Sequence, residues 1–237
     1  MRVIRWFALL VAMEITLRPI AYVRTPFPEK FGVPRQSGLV PAAEGRVEFA
    51  PEYAAPEFMR GLEAFSHVWL VTAFHKNPAW SGSAVVRPPR LGGNEKVGVF
   101  ASRAPNRPNG LGLSLVRVVA IEPGVLRVAG IDCVDGTPVY DVKPYLPWCE
   151  ALPDARADWA NSPPPASEAA TVVIAPEFSA QLGADTTRLV QEVLRLDVAP
   201  AYQEEADRTY GLALAGWNIR WRVRPDGTRE VFETRRL

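Results

Sequence analysis

The chain has 237 residues, 48% hydrophobic and 22% charged, with a formal net charge of +1. That length holds one large domain or a medium domain with an appendage. The composition excludes a disordered chain, and a near-neutral total can hide local patches. Cys133, Cys149, His67 and His75 are too few and too scattered for a disulfide framework or a zinc site, so reduced thiols in a cytoplasmic protein, with no metal, are expected. No apolar run reaches the ~20 residues that span a bilayer.

In chain order, residues 1–14 read as a separate N-terminal extension. Arg2 and Arg5 precede an apolar stretch over 6–12 that looks like a signal peptide, yet no A-x-A-like cleavage site follows. Translation from Met13 is the expectation, with a signal peptide as the competing reading. Short β-type runs follow at 18–23, 46–49, 67–74, 97–101, 114–121 and 125–133. They are rich in β-branched and aromatic residues and are punctuated by Gly, Pro and Asn. Many short strands without alternating long helices predict a β-barrel or sandwich over 15–160 rather than a doubly wound sheet.

Pro163-Pro164-Pro165 lack amide donors, which makes 161–170 a linker. A smaller α+β domain is predicted over 171–237. It opens with a helix over 186–196 that carries Leu189, Val190, Val193 and Leu194 on one face, with Asp185 as a possible N-cap. The period of two over 217–224 places Trp217, Ile219, Trp221 and Val223 on one face and Arg220, Arg222 and Arg224 on the other. Pro225-Asp226-Gly227 turns the chain into a return strand from Glu230.

Three clusters carry possible chemistry. From Val86 to Arg117 the chain carries Arg87, Arg90, Lys96, Arg103, Arg107 and Arg117, opposed by Glu95 alone. Such a loop suits a phosphate, a carboxylate or an RNA backbone, although a solvated basic loop is an equally ordinary use of those residues. Gly110-Leu111-Gly112 lacks the third glycine of a dinucleotide fingerprint. The second cluster runs from Asp132 and Cys133 through Asp135-Gly136 to Lys143 and Tyr145, where a turn explains Gly136 but not Lys143. His75, the third, closes the strong strand at its exit. His67 opens that strand, and the spacing of eight would put both on one face unless a bulge intervenes.

At these clusters the chain resembles the TrmO (TsaA-like) tRNA methyltransferases. The resemblance rests on Phe31-Gly32-Val33-Pro34-Arg35-Gln36-Ser37-Gly38-Leu39, on 61–69 and 86–94, and on Gly98-Val99-Phe100-Ala101-Ser102-Arg103. It continues through Val134-Asp135-Gly136-Thr137-Pro138-Val139, Lys143-Pro144-Tyr145-Leu146-Pro147 and 218–223, colinear from about residue 17 to 232. Two positions depart from the family pattern. Gly110 follows Arg107-Pro108-Asn109 where proline is expected, and Ala199 precedes Pro200-Ala201-Tyr202 where arginine is expected.

The resemblance implies a compact β-barrel methyltransferase, a homodimer, that uses S-adenosyl-L-methionine. Its substrate would be tRNA bearing N6-threonylcarbamoyladenosine beside the anticodon, methylated at N6. By similarity, Arg35, Gln36, His75, Arg103, Leu113, Asp132 and Thr137 lie near the cofactor. Asn109, Asp135, Lys143 and Tyr145 lie at the reacting end, with Asp135 as base or N–H acceptor. Arg220, Arg222 and Arg224 form an RNA track, the competing explanation being solubility of an edge strand. The rival function is a non-catalytic RNA- or ligand-binding barrel, which needs the arginines but not the grouping of Asp132, Asp135, Lys143 and Tyr145.

Overall fold

The computed structural model describes residues 14–91, 94–161, 171–196 and 209–237. The stretch before Met13, the linker prolines and the motif at Ala199-Pro200-Ala201-Tyr202 lie outside the described residues. Strand β1 spans Ala21–Arg24, β2 Glu44–Phe49 and β3 His67–Ala73, while β4 (Val85–Val86) and β5 (Val97–Gly98) form a small ladder. Strands β6 (Leu111–Glu122), β7 (Val125–Ala129) and β8 (Pro138–Pro144) follow. Six of these close into a barrel in the order β1-β2-β7-β6-β3-β8, with every pair antiparallel.

Alternation is the cause. In β3, Val68, Leu70 and Thr72 are buried while His67, Trp69 and Val71 face outward. Ser114 and Val116 of β6 point inward beside Val47, Leu126 and Val128.

Where expectation and structure differ, local backbone explains it. The strand expected to reach Cys133 stops at Ala129 because Gly130 turns the chain with φ +77°. The strand expected over 97–101 becomes a 3-10 turn after Gly98. β8 went unforeseen, since its prolines, Asp141 and Lys143 argue against a strand by composition. His67 and His75 are separated because the His75 amide bonds back to the Ala73 carbonyl at 2.9 Å, bending the chain as it leaves β3.

Helix α1 (Pro147–Glu150) follows β8, and the C-terminal part holds β9 (Val172–Ile174), α2 (Pro176–Leu182) and α3 (Ala184–Arg195). Strands β10 (Thr209–Leu214), β11 (Trp217–Val223) and β12 (Arg229–Arg236) complete a sheet in the order β10-β11-β12-β9. The apolar face of α3 is buried as predicted, but Gly183 rather than Asp185 occupies its N-cap position, and Asp185 sits inside the first turn. At its other end the buried Arg229 guanidinium donates to the carbonyls of Leu194 and Leu196, which have no helical partner there.

One hydrophobic core runs through both parts. Three contacts hold the 25–43 loop of the barrel against the C-terminal part. The Glu192 carboxylate accepts the Ala42 amide at 2.8 Å, the Ala215 amide donates to Pro26 O at 2.8 Å, and Leu212 packs on Gly32. A Cβ on Gly32 would lie 2.2 Å from Leu212 Cδ1, and its φ is +85°.

Candidate active site

The site forms where two barrel strands part. Pairing of β6 with β7 ends at Arg117↔Ala129, so the first half of β6 has a free edge on that side. The 35–38 loop covers it. Ser37 Oγ accepts the Leu115 amide at 3.1 Å, and the Gly38 amide donates to Gly130 O at 2.8 Å. This approach needs glycines, since a Cβ on Gly130 would lie 3.2 Å from Gly38 Cα and N. Beyond Gly130, Ser114 Oγ donates to the Asp132 carboxylate at 2.5 Å, and the Ser37 backbone also bonds it.

Between these elements opens a cleft of ≈ 470 Å³ lined by Gln36, Ser37, His67, Trp69, Arg103 and Arg117 among others. That volume lies in the range of small-molecule sites, roughly 300–1,000 Å³. Arg103 donates to the Gln36 side-chain carbonyl, so two residues expected near the cofactor meet. Burial raises the pKa of Asp132, opposed by Ser114, its backbone bonds and the nearby Arg103. The adjoining Cys133 thiol is pushed up to about 12 by burial and then by Asp132. Arg103 and Arg117 offer bidentate partners to a carboxylate, the Gln36 amide offers a donor and an acceptor, and Trp69 and His67 offer flat faces to a ring or a sulfonium. These residues fit S-adenosylmethionine.

The other expected residues divide into groups. Lys143 and Tyr145 stand on the outer barrel face beside the cleft. Lys143 pairs with Asp141 at 3.0 Å and lies opposite Trp69, and the Tyr145 ring meets Trp69 and His67 edge-on at 6.2 and 6.4 Å. Leu113 is exposed on the same face. Asp135, His75 and Thr137 gather at the 134–137 turn. There Thr137 Oγ1 lies 3.4 Å from His75 Nδ1, and Asp135 Oδ1 accepts the Thr25 amide at 3.0 Å. Burial lowers the pKa of His75, with Lys76 acting the same way and Asp135 against it. Asn109 stands apart, at φ +65° in the arginine loop. Arg35 is exposed next to Gln36, whose amide donates to the Arg35 carbonyl.

Arg220 and Arg222 share the exposed face of β11 as predicted, and Arg224 follows just past its end, but each is paired. Arg220 meets Glu233 at 3.1 Å, Arg222 meets Glu230 at 2.8 Å, and Arg224 also meets Glu230. Sequence reasoning gave no site role to Ser37, Ser114 or Trp69, and marked Arg117 only as part of the basic stretch. Ser114 had a signal, being a polar residue at an inward position of an alternating strand.

A family described as the tRNA-methyltransferase O N-terminal domain matches residues 22–151, and the TrmO C-terminal domain matches 167–236. The chain belongs to the TrmO family. An Escherichia coli (strain K12) tRNA (adenine(37)-N6)-methyltransferase is 44% identical over 225 residues, covering 90% of this chain and 94% of that one. A Pseudomonas aeruginosa protein named putative S-adenosylmethionine-dependent methyltransferase RcsF is 45% identical over 221 residues, covering 90% of this chain and 95% of its own. The crystal structure of TrmO from Pseudomonas aeruginosa superposes with a TM-score of 0.78 at 37% identity, covering 94% of this chain and 99% of that one. The six-stranded barrel and the appended sheet are therefore those of a TrmO protein.

Proposed function

We propose that this chain methylates N6 of N6-threonylcarbamoyladenosine at position 37 of tRNA. The coarser activity, an S-adenosylmethionine-dependent tRNA (adenine37-N6)-methyltransferase, follows from its family and its relatives' names. The observation that carries the reading is the cleft at the β6–β7 parting, lined by Ser37 and the Arg103–Gln36 pair, with the largely desolvated Asp132 carboxylate bonded to Ser114 and to the Ser37 backbone.

In this reading Gln36, Ser37, Arg103 and Asp132 hold the cofactor, which supplies an electrophilic methyl group on a sulfonium. Lys143 and Tyr145, beside Trp69, meet the modified base, the Lys143 ammonium facing the threonyl carboxylate. Alignment of donor and acceptor is the main task, worth ~7–11 kcal/mol in well-oriented reactions. Asp135 is engaged by Thr25 and lies near Arg24, so its part is to fix the 134–137 turn and the His75 ring that orient the acceptor. A cationic Lys143 beside the substrate would favour the carboxylate-bearing base over plain adenosine.

We further assign a homodimer in the cytoplasm, where the tRNA substrate resides. Leu111 and Leu113 are 39% and 54% exposed on the outer face of β6, opposite Ala73 and Val71, and suit a second copy. Leu113→Arg should yield a monomer by sedimentation, while an unchanged dimer would exclude this face. The decisive test of substrate is methyl transfer to matched tRNAs with and without the threonylcarbamoyl group, read by nucleoside mass spectrometry. Product from the modified tRNA alone is expected. Equal transfer to both would remove the finer substrate reading and leave the methyltransferase.

A further inference from the structure

At the exit of β3 lies a second pocket, of ≈ 270 Å³, lined by Phe74, Asn77, Trp80, Pro105, Arg107 and Asn109 among others. Six steps of ~3.3 Å along a strand separate His67, in the first cleft, from Ala73, which precedes Phe74. The two sites thus sit at opposite ends of one strand, and the arginine loop borders both, with Arg103 at the first and Arg107 at the second.

Its chemistry is specific. The Trp80 indole is 41% exposed and its N–H donates to Ser83 O at 3.1 Å, so the ring is held in place with its one polar atom satisfied. Arg107 is steadied by its own bond to Ser102 O at 3.1 Å. Pro105 stiffens one wall, and Asn109 holds the left-handed backbone that asparagine tolerates better than most residues. The side-chain amides of Asn77 and Asn109 each present both donors and acceptors.

An aromatic platform, two amides and a guanidinium are what an unstacked nucleobase with its phosphate requires. We infer that this pocket seats one base of the anticodon loop neighbouring the methylated adenosine. The inference rests on the tRNA reading above and adds the place where the loop is gripped. Arg87 and Lys96 on the same basic segment offer counter-charge to the flanking phosphates. A lipid or apolar peptide fits poorly, since Asn77, Arg107 and Asn109 would be stripped of water against it.

The test uses the full chain, an anticodon stem-loop RNA carrying N6-threonylcarbamoyladenosine, and S-adenosylmethionine, with the two dissociation constants measured separately. Loss of one stacked base corresponds to about a 5- to 150-fold weakening of RNA binding, and Trp80→Ala should show it. Trp80→Phe should keep most of the affinity. Asn109→Gly, which keeps the backbone turn and deletes the amide, should weaken RNA binding and dull its dependence on the identity of the flanking base. Cofactor affinity should stay at the parent value in all three.

Parent-like RNA binding by Trp80→Ala and Asn109→Gly would overturn the inference. So would weakened cofactor binding with RNA binding intact, which would give the pocket to the cofactor's adenine instead. Failure of the parent chain to methylate the stem-loop would sink the substrate reading alone, because the binding comparison between parent and variants does not require turnover.

Discussion

Cys133 is buried and its thiol is pushed up to about 12, whereas Cys149 is exposed. Thiolate is the nucleophile, so iodoacetamide near pH 8 should label one cysteine in the native chain, Cys149, and two after denaturation. Two labels on the folded protein would mean the interior beside Asp132 opens. Asp132 itself has a folded pKa above its ordinary value of 3.8. The native state therefore binds that proton more tightly than the unfolded chain. Stability from this group is fully present below the unfolded pKa and is lost as pH rises through the folded one. Asp132→Asn should thus be more stable than the parent near neutral pH, with the advantage vanishing toward pH 3.8. Urea titrations across that range would show it, and an advantage unchanged with pH would contradict the burial argument. The same variant should bind S-adenosylmethionine more weakly. The cluster around Asp132 was hard to foresee because it joins residues 37, 114 and 132. Ser37 and Leu115 are 78 positions apart, and Ser114 and Asp132 are 18 apart. Arg103 and Gln36, by contrast, stood in segments already marked by charge and family resemblance.

Strands that pack one face on the core were legible, because alternation in β3 and β11 is the physical requirement itself. The β8 strand was not, since its outward positions carry Asp141 and Lys143 and its first and last residues are prolines. The end of β7 was also hidden. Buried apolar residues, Ile131 and Cys133, continue past Ala129, while Gly130 turns the chain and packs against Gly38. Gly130→Ala should cost ~1–2 kcal/mol from the left-handed backbone, plus the displacement of Gly38, and should lower cofactor affinity along with melting temperature. On β11 and the turn after it, Arg220, Arg222 and Arg224, with Arg235 of β12, face Glu230 and Glu233, leaving a surplus of two positive charges among these residues. Exposed pairs of this kind are worth ~0–1 kcal/mol each, so phosphates can displace the glutamates. Replacing Arg220, Arg222 and Arg224 with glutamine should flatten the salt dependence of tRNA binding by about 0.7 in log–log slope for each phosphate no longer neutralised. An unchanged slope would leave these arginines the task of keeping the sheet soluble.

The C-terminal part is a buttress for the molecule, because Glu192, Leu212 and Ala215 fix the loop that carries Gln36 and Ser37. Leu212 is fully buried, and Leu212→Ala should cost about 2–5 kcal/mol. Glu192→Gln keeps the shape and can still accept the Ala42 amide, so it should bind cofactor nearly as the parent does, whereas Glu192→Ala should lose affinity with a smaller fall in melting temperature than Leu212→Ala. Equal cofactor affinity in all three would separate the two halves functionally.

The barrel closes through β1 and β8, where Ala21 pairs with Val139. A chain growing from its N-terminus at ~5–20 residues per second therefore cannot seal that seam until β8 has left the ribosome, and Ala42 and Pro26 wait longer still for Glu192 and Ala215. The wall proposed to hold the cofactor is thus among the last parts of the molecule to set, so a prematurely released chain ending after β8 would hold a closed barrel with an unbraced cleft and, on that proposal, little grip on S-adenosylmethionine.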